Sequence, residues 1–234
     1  MSEIGIAFKT ALLMLLSLDP ALVEIVSLSL RVSLSAVLLA GLAGLPLGAL
    51  IATTRLPGRR ALIVLLNGFM GLPPVVVGLT VYLLLSRAGP LGSLGLLFTP
   101  GAMIFAQCLL VLPIIAALSR QVIEDLWEEY REQLVSLGAR RYGVLATLLW
   151  EGRYRLLTVV LAGFGRAVAE VGAVLTVGGN IAGETRVMTT AIALETARGD
   201  LPLALGLGLL LILIALVINT LVHLIKDLSA RYAA

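Results

Sequence analysis

The sequence predicts an all-α integral membrane protein that crosses the bilayer about five times. Three observations predict it. The 234 residues are 59% hydrophobic and only 13% charged, with a mean hydropathy of +1.06. Soluble domains run at about 25% charged, and a chain this short cannot bury so much apolar surface in its own core. Five apolar stretches each approach or exceed the roughly 20 residues that a hydrocarbon core demands. Between the third and fourth lies the one long polar stretch, residues 120–155, with six arginines and six acids.

Residues 4–18 are apolar but short, carry Lys9 in the middle and end at Asp19-Pro20. They read as an N-terminal interfacial helix, with a true span as the alternative. Met1-Ser2-Glu3 supplies no basic start, so no cleaved signal peptide is expected. Residues 22–53 form the first span. Glu24, Ser27, Ser29, Arg31, Ser33 and Ser35 put its beginning past the lipid or along a polar cavity. Gly44 and Gly48 are a small-xxx-small pair, where a second helix can approach closely. Arg55, Arg59 and Arg60 then cluster around Pro57-Gly58.

Residues 61–86 form the second span. Pro73-Pro74 should kink it, and the freed backbone groups must be met by protein or water, so this face turns inward. Residues 87–100 are a loop rich in glycine and proline. Residues 101–119 form the third span, with a bend expected at Pro113. The charged stretch follows. Residues 156–177 form the fourth span and contain Arg166 and Glu170. Four residues apart, the two share a helix face and read as an intramembrane ion pair; contact with a substrate is the alternative. Gly178-Gly179-Asn180 breaks the helix, and residues 202–224 form the fifth span.

Orientation follows from the basic residues. Residues 54–60, 120–155 and 225–234 together hold 11 of the 17. That side is read as cytoplasmic, which puts the N-terminus outside and the C-terminus in the cytoplasm. The chain reads as one domain over 1–234. A bare solvated loop is the plain reading of residues 120–155, but a charged helical insert between spans also suits a partner in the aqueous phase. No phosphate-binding GxxxxGK[ST] loop, GxSxG, HExxH or CxxC occurs. The sequence offers no metal or nucleotide ligand set, so active transport would draw its energy from another polypeptide or from an ion gradient.

The order of residues inside the charged stretch narrows the choice. Glu132-Gln133-Leu134-Val135-Ser136-Leu137-Gly138-Ala139, with Leu149 eleven residues after Gly138, resembles the cytoplasmic coupling motif of ABC importer permeases. That motif reads Glu-Ala-Ala, three residues, Gly, nine residues, Ile, one residue, Leu-Pro. Gln133-Leu134 stand for Ala-Ala here, and Glu151-Gly152 stand near Leu-Pro. The stretches Ser29 to Ser33, Leu72 to Gly78 and Gly183 to Arg186 are similar to molybdate permeases. The runs Gly165 to Val174, Val177 to Ile181 and Thr189 to Thr196, with Trp150-Glu151, are most similar to tungstate permeases.

The resemblance implies the type I ABC importer permease fold. It implies a homodimer with its pore on the dimer axis, a pair of cytoplasmic ATPase subunits that hold ATP and Mg, and an external oxyanion-binding protein. The carried anion is expected to be tungstate, with molybdate, sulfate or another oxyanion as the alternative. An ion-coupled secondary transporter belongs to a different class, and the internal repeats it calls for are not seen.

Two groups of site residues follow. In the coupling element, Leu126, Tyr130, Leu134 and Leu137 are spaced to form one apolar helix face. Gly138 is expected to end that helix, and Ala139-Arg140-Arg141-Tyr142 to start a short second one. Glu132, Leu137 and Gly138 carry the motif, and Arg140 and Arg141 are placed to meet acids on the ATPase. Tyr142 is placed to fill an apolar pocket there. In the translocation path, Gly178, Gly179, Asn180, Thr185, Thr189 and Thr190 are expected to offer backbone N–H and hydroxyl donors to a dianion without a fixed charge. An ordinary external loop is the alternative.

Overall fold

A computed structural model describes residues 5, 13, 20–54 and 57–232, with only the backbone at 223 and 225–232. The expected interfacial helix at 4–18 lies outside the described residues. Among the described residues nine α-helices follow one another: α1 Pro20–Thr53, α2 Arg59–Met70, α3 Pro74–Leu85, α4 Pro100–Ser136, α5 Arg141–Glu151, α6 Arg153–Val168, α7 Gly172–Gly178, α8 Met188–Arg198 and α9 Leu201–Tyr232. No strand occurs among the described residues. Among the described residues three helices are long and apolar enough to cross a membrane, or five when the broken pairs α2–α3 and α6–α7 each count as one span. This matches the expected number.

Three elements differ from expectation. Pro73-Pro74 does more than kink the second span. It separates two helices, with Pro74 as the first residue of α3, where its missing N–H costs no hydrogen bond. The third span does not end at residue 119. α4 runs unbroken for 37 residues, through Pro113 and on to Ser136, about 55 Å at the usual helical rise. The fourth span is two helices, since α6 stops at Val168 and α7 starts at Gly172. A further helix, α8, lies between the Gly178-Gly179-Asn180 break and the fifth span.

The residues divide into two compact units. The first comprises residues up to 33, 74–106 and from 168 onward. In it α3 packs along α7 and α8 along α9. The α3–α7 contact is a backbone approach: a Cβ on Gly78 would lie 2.7 Å from Ala173 Cα. Leu22, Met188, Ala191, Leu207 and Leu210 form a buried cluster where α8 meets α9 and the start of α1.

The second unit comprises residues 34–73 and 107–167. Here α1 meets α4 at the small pair picked out in the sequence. A Cβ on Gly48 would lie 2.5 Å from Ala116 O and 2.8 Å from Arg120 N. The Ser119 hydroxyl, fully buried, reaches Gly44 O at 3.3 Å and Ala116 O at 3.2 Å. Gly163 brings α6 equally close to Val111 and Ile115 of α4. Gln107 Nε2 donates to Ala167 O at 3.0 Å, a buried side chain meeting a backbone carbonyl near the end of α6. Small residues let helices touch where lipid offers no hydrophobic drive toward association.

Candidate functional site

The expected coupling element lies in the second unit and is a helical hairpin, α4–turn–α5. α4 persists into polar sequence because Glu, Gln and Arg are good helix formers, and opposite charges one turn apart support it. Its end is set by Gly138, which has φ +66°, a conformation that costs L side chains about 1–2 kcal/mol. Ala139 N donates to Leu134 O and Gly138 N to Val135 O, each at 3.0 Å. These two bonds are the Schellman closure of a helix C-terminus. Arg140 is extended, at φ −73° and ψ 154°, and α5 begins at Arg141.

The hairpin holds itself by one face and presents the other. Leu126, Val144, Leu148 and Leu156 are buried together with Ala49, Ala52 and Ile123, and Tyr130 and Leu134 pack on them. Leu137 departs from the expected stripe: it lies past the end of α4 and is 81% exposed. It is the cap residue just before the left-handed Gly138, where the Schellman reversal begins. Tyr142 is 87% exposed, and Glu132, Gly138, Ala139, Arg140 and Arg141 are exposed as well. The seven expected coupling residues therefore share one solvent-facing turn and the ends of the two helices beside it.

Sequence reasoning missed what braces the hairpin. Arg59 at the start of α2 donates from Nε to Ile51 O at 2.9 Å, meeting a carbonyl at the end of α1. Its other arm binds Glu124 Oε1 of α4 at 2.6 Å, and Arg120 pairs with the second oxygen of the same carboxylate. Carbonyls of a last helical turn lack internal partners, so one guanidinium caps α1 and fastens it to α4. Beside this pair a cleft of about 660 Å³ is lined by Arg59, Glu124, Glu128, Arg131, Glu132 and Arg141 among others. The sequence signal was present as Arg59 after Pro57-Gly58, but nothing in it named Glu124 as the partner.

The first unit holds the second group. α7 ends at Gly178, and Gly179 (φ +72°) and Asn180 (φ +53°) reverse the chain. Thr185 is fully buried; its hydroxyl donates to Gly178 O at 2.5 Å and accepts from Ile181 N at 3.0 Å. Thr189 Oγ1 donates to Glu170 O at 2.9 Å. Thr190 Oγ1 donates to Val187 O at 3.0 Å and accepts Val187 N at 3.1 Å. A hydroxyl has one proton, so all three threonines spend theirs on backbone carbonyls. They fix the turn and the start of α8 and are not free donors, contrary to what the sequence suggested. Ser29 Oγ of α1 receives Met188 N at 2.7 Å, satisfying one orphan donor of α8. Asn180 Oδ1 and Arg186 Nε are buried without a hydrogen-bond partner.

Arg166 and Glu170 do not sit four apart on one helix, because α6 ends between them. Arg166 lies in the last turn of α6, where a cation suits the helix dipole. Glu170 is 3% exposed, and its Oε1 accepts Ala173 N of α7 at 3.0 Å.

Comparison with known proteins agrees with this architecture. The family described as binding-protein-dependent transport system inner membrane component matches residues 44–232. The chain belongs to that family and has its type I ABC permease fold: it is a membrane permease component. Its relatives include the tungstate uptake system permease protein TupB of Peptoclostridium acidaminophilum, 39% identical over 97% of this chain and all of that protein. The protein of the same name in Campylobacter jejuni is 38% identical over 94% of this chain and 92% of its own length. The sulfate transport system permease protein CysW of Synechocystis is 29% identical over 82% and 72%.

Proposed function

We propose that the chain is the permease subunit of an ATP-driven tungstate importer. The observation that carries this reading is the near-full-length identity of 38–39% to two tungstate permeases, against 29% to a sulfate permease. Two copies form the pore, an external oxyanion-binding protein delivers the anion, and a separate ATPase subunit holds ATP and Mg. The basic side of the protein faces the cytoplasm, the N-terminus lies outside and the C-terminus inside. The exposed turn around Gly138 docks on the ATPase, with Arg140 and Arg141 toward its acids and Tyr142 in an apolar pocket. The turn at Gly178, Gly179 and Asn180 borders the anion path, held in shape by Thr185, Thr189 and Thr190.

Relatives among sulfate permeases favour a second reading, the same machine carrying sulfate or molybdate. The deciding experiment reconstitutes the permease with its ATPase and supplies binding protein loaded with tungstate, molybdate or sulfate. Stimulated ATP hydrolysis and uptake with tungstate are expected. Stimulation by sulfate or molybdate alone would replace the anion, and ATP-independent uptake driven by an ion gradient would replace the class.

A further inference from the structure

Within the second unit an apolar groove of about 430 Å³ runs between α1 and α6. Its α1 wall is Val37, Leu38, Gly41, Leu42, Leu45 and Pro46, two to three helical turns or about 13 Å at the usual rise. Its α6 wall is Arg153, Leu156, Leu157 and Val160. Gly41 leaves the floor open, since a Cβ there would meet nothing within 4 Å. Ala49 and Ala52 of α1 cluster with Leu148 and Leu156, so the end of α1 and the start of α6 lie together. The groove therefore starts beside the coupling hairpin and runs away from it along α1 and α6. Half of a hydrocarbon core is about 15 Å, close to the length of this wall.

Arg153 stands at the open end. Its guanidinium lies over the Trp150 ring at 4.7 Å and the Tyr154 ring at 4.6 Å. Trp and Tyr gather at the headgroup level of membranes. A guanidinium carries five N–H donors, and here one atom, Nη1, donates to Trp150 O at 2.8 Å. No acid among the described residues pairs with it. Arg155 and Glu151, two residues to either side of it, are both exposed. A stacked, half-buried cation with donors to spare, at the mouth of an apolar slot, is complementary to one kind of molecule.

We infer that this groove binds an anionic phospholipid, with one acyl chain along Leu38 and Leu42 and its phosphate on Arg153. The apolar walls alone take any acyl chain, so the headgroup charge is what Arg153 selects. Each arginine near an anionic headgroup is worth about fivefold in affinity.

The test uses the permease co-purified with its ATPase from membranes holding equal phosphatidylglycerol and phosphatidylcholine with identical chains. Native mass spectrometry then reads the lipids retained. Wild type should favour phosphatidylglycerol about fivefold. Arg153→Gln should bring that ratio near one, and Arg153→Lys should keep most of it. Leu42→Trp, which fills the groove, should lower the retention of both lipids. Equal retention of the two lipids by wild type, which needs no variant to fold, overturns the proposal. So does a preference that survives both Arg153→Gln and Leu42→Trp. Oxidative cross-linking of two permeases through Leu42→Cys would also overturn it, because the groove would then be covered by a second copy.

Discussion

The turns at Gly138 and Gly179 use one backbone device in opposite ways. Each ends a helix with a left-handed glycine, at φ +66° and +72°. Around Gly138 nothing lies within 4 Å of where a Cβ would sit, whereas at Gly179 the Phe98 ring is 2.9 Å away. Leu137 and Tyr142 stand 81% and 87% exposed beside the first turn. Thr185 and Thr190, at 0% and 1%, lie buried beyond the second. A turn whose neighbours are packed inward is finished by its own chain. A turn with a leucine and an aromatic ring left exposed keeps apolar surface that its own chain does not cover.

Substitutions can break or sharpen this contrast, and the largest effect should come at the packed turn. Gly179→Val adds the left-handed strain to a clash with Phe98, a combined cost of about 2–5 kcal/mol. A fall of several degrees in the melting temperature of the detergent-solubilised permease is expected, with uptake lost. A variant as stable as wild type would mean the turn is no more crowded than the one at Gly138. Thr185→Val should follow, at about 1–3 kcal/mol, because it strips partners from the buried Gly178 O and the part-buried Ile181 N. Thermal unfolding of that variant measures the cost directly.

Gly138→Glu should destabilise by only about 1–2 kcal/mol, the conformational term alone. The permease should remain inserted, yet its ATPase should be lost on co-purification or no longer be stimulated by loaded binding protein. Full association together with full stimulation would remove this turn from coupling. Tyr142→Ala should be the mildest for the fold, within about 0.5 kcal/mol as for other exposed sites. Its cost should appear at the interface, as a drop of tenfold or more in ATPase affinity, about 1.4 kcal/mol or above, measured by titration. If the melting temperature falls and affinity does not, the ring serves the permease alone.

The sequence made the spans legible because lipid imposes a composition that any window reads. It made Gly138 legible because helix ends need a residue that tolerates positive φ. The Gly44 and Gly48 contact was legible because only small residues permit backbone approach. What could not be read has a common cause. Hydropathy reports the solvent around a segment, and the end of the apolar run near Ser119 was a change of solvent, not of backbone, so α4 continues to Ser136. Likewise Arg166 and Glu170 were spaced as for one helix, but the hydrogen-bonding break between Val168 and Gly172 has no proline to announce it. The threonines could be ranked as donors from their type alone. Only the fold assigns their single proton to Gly178, Glu170 and Val187.

The unbroken run of α4 also gives the protein an angular memory. Ser119 is locked against α1 at Gly44, and the Gly138 turn lies downstream on the same rod with no joint between them. One residue inserted after Ser119 would rotate everything beyond it by about 100° and point Tyr142 and the two arginines in a new direction. A seven-residue insertion would restore the heading to within about 20° while lengthening the rod by about 10 Å. The reach of this hairpin is therefore more free to drift than its bearing, and homologous hairpins should differ in length by whole turns.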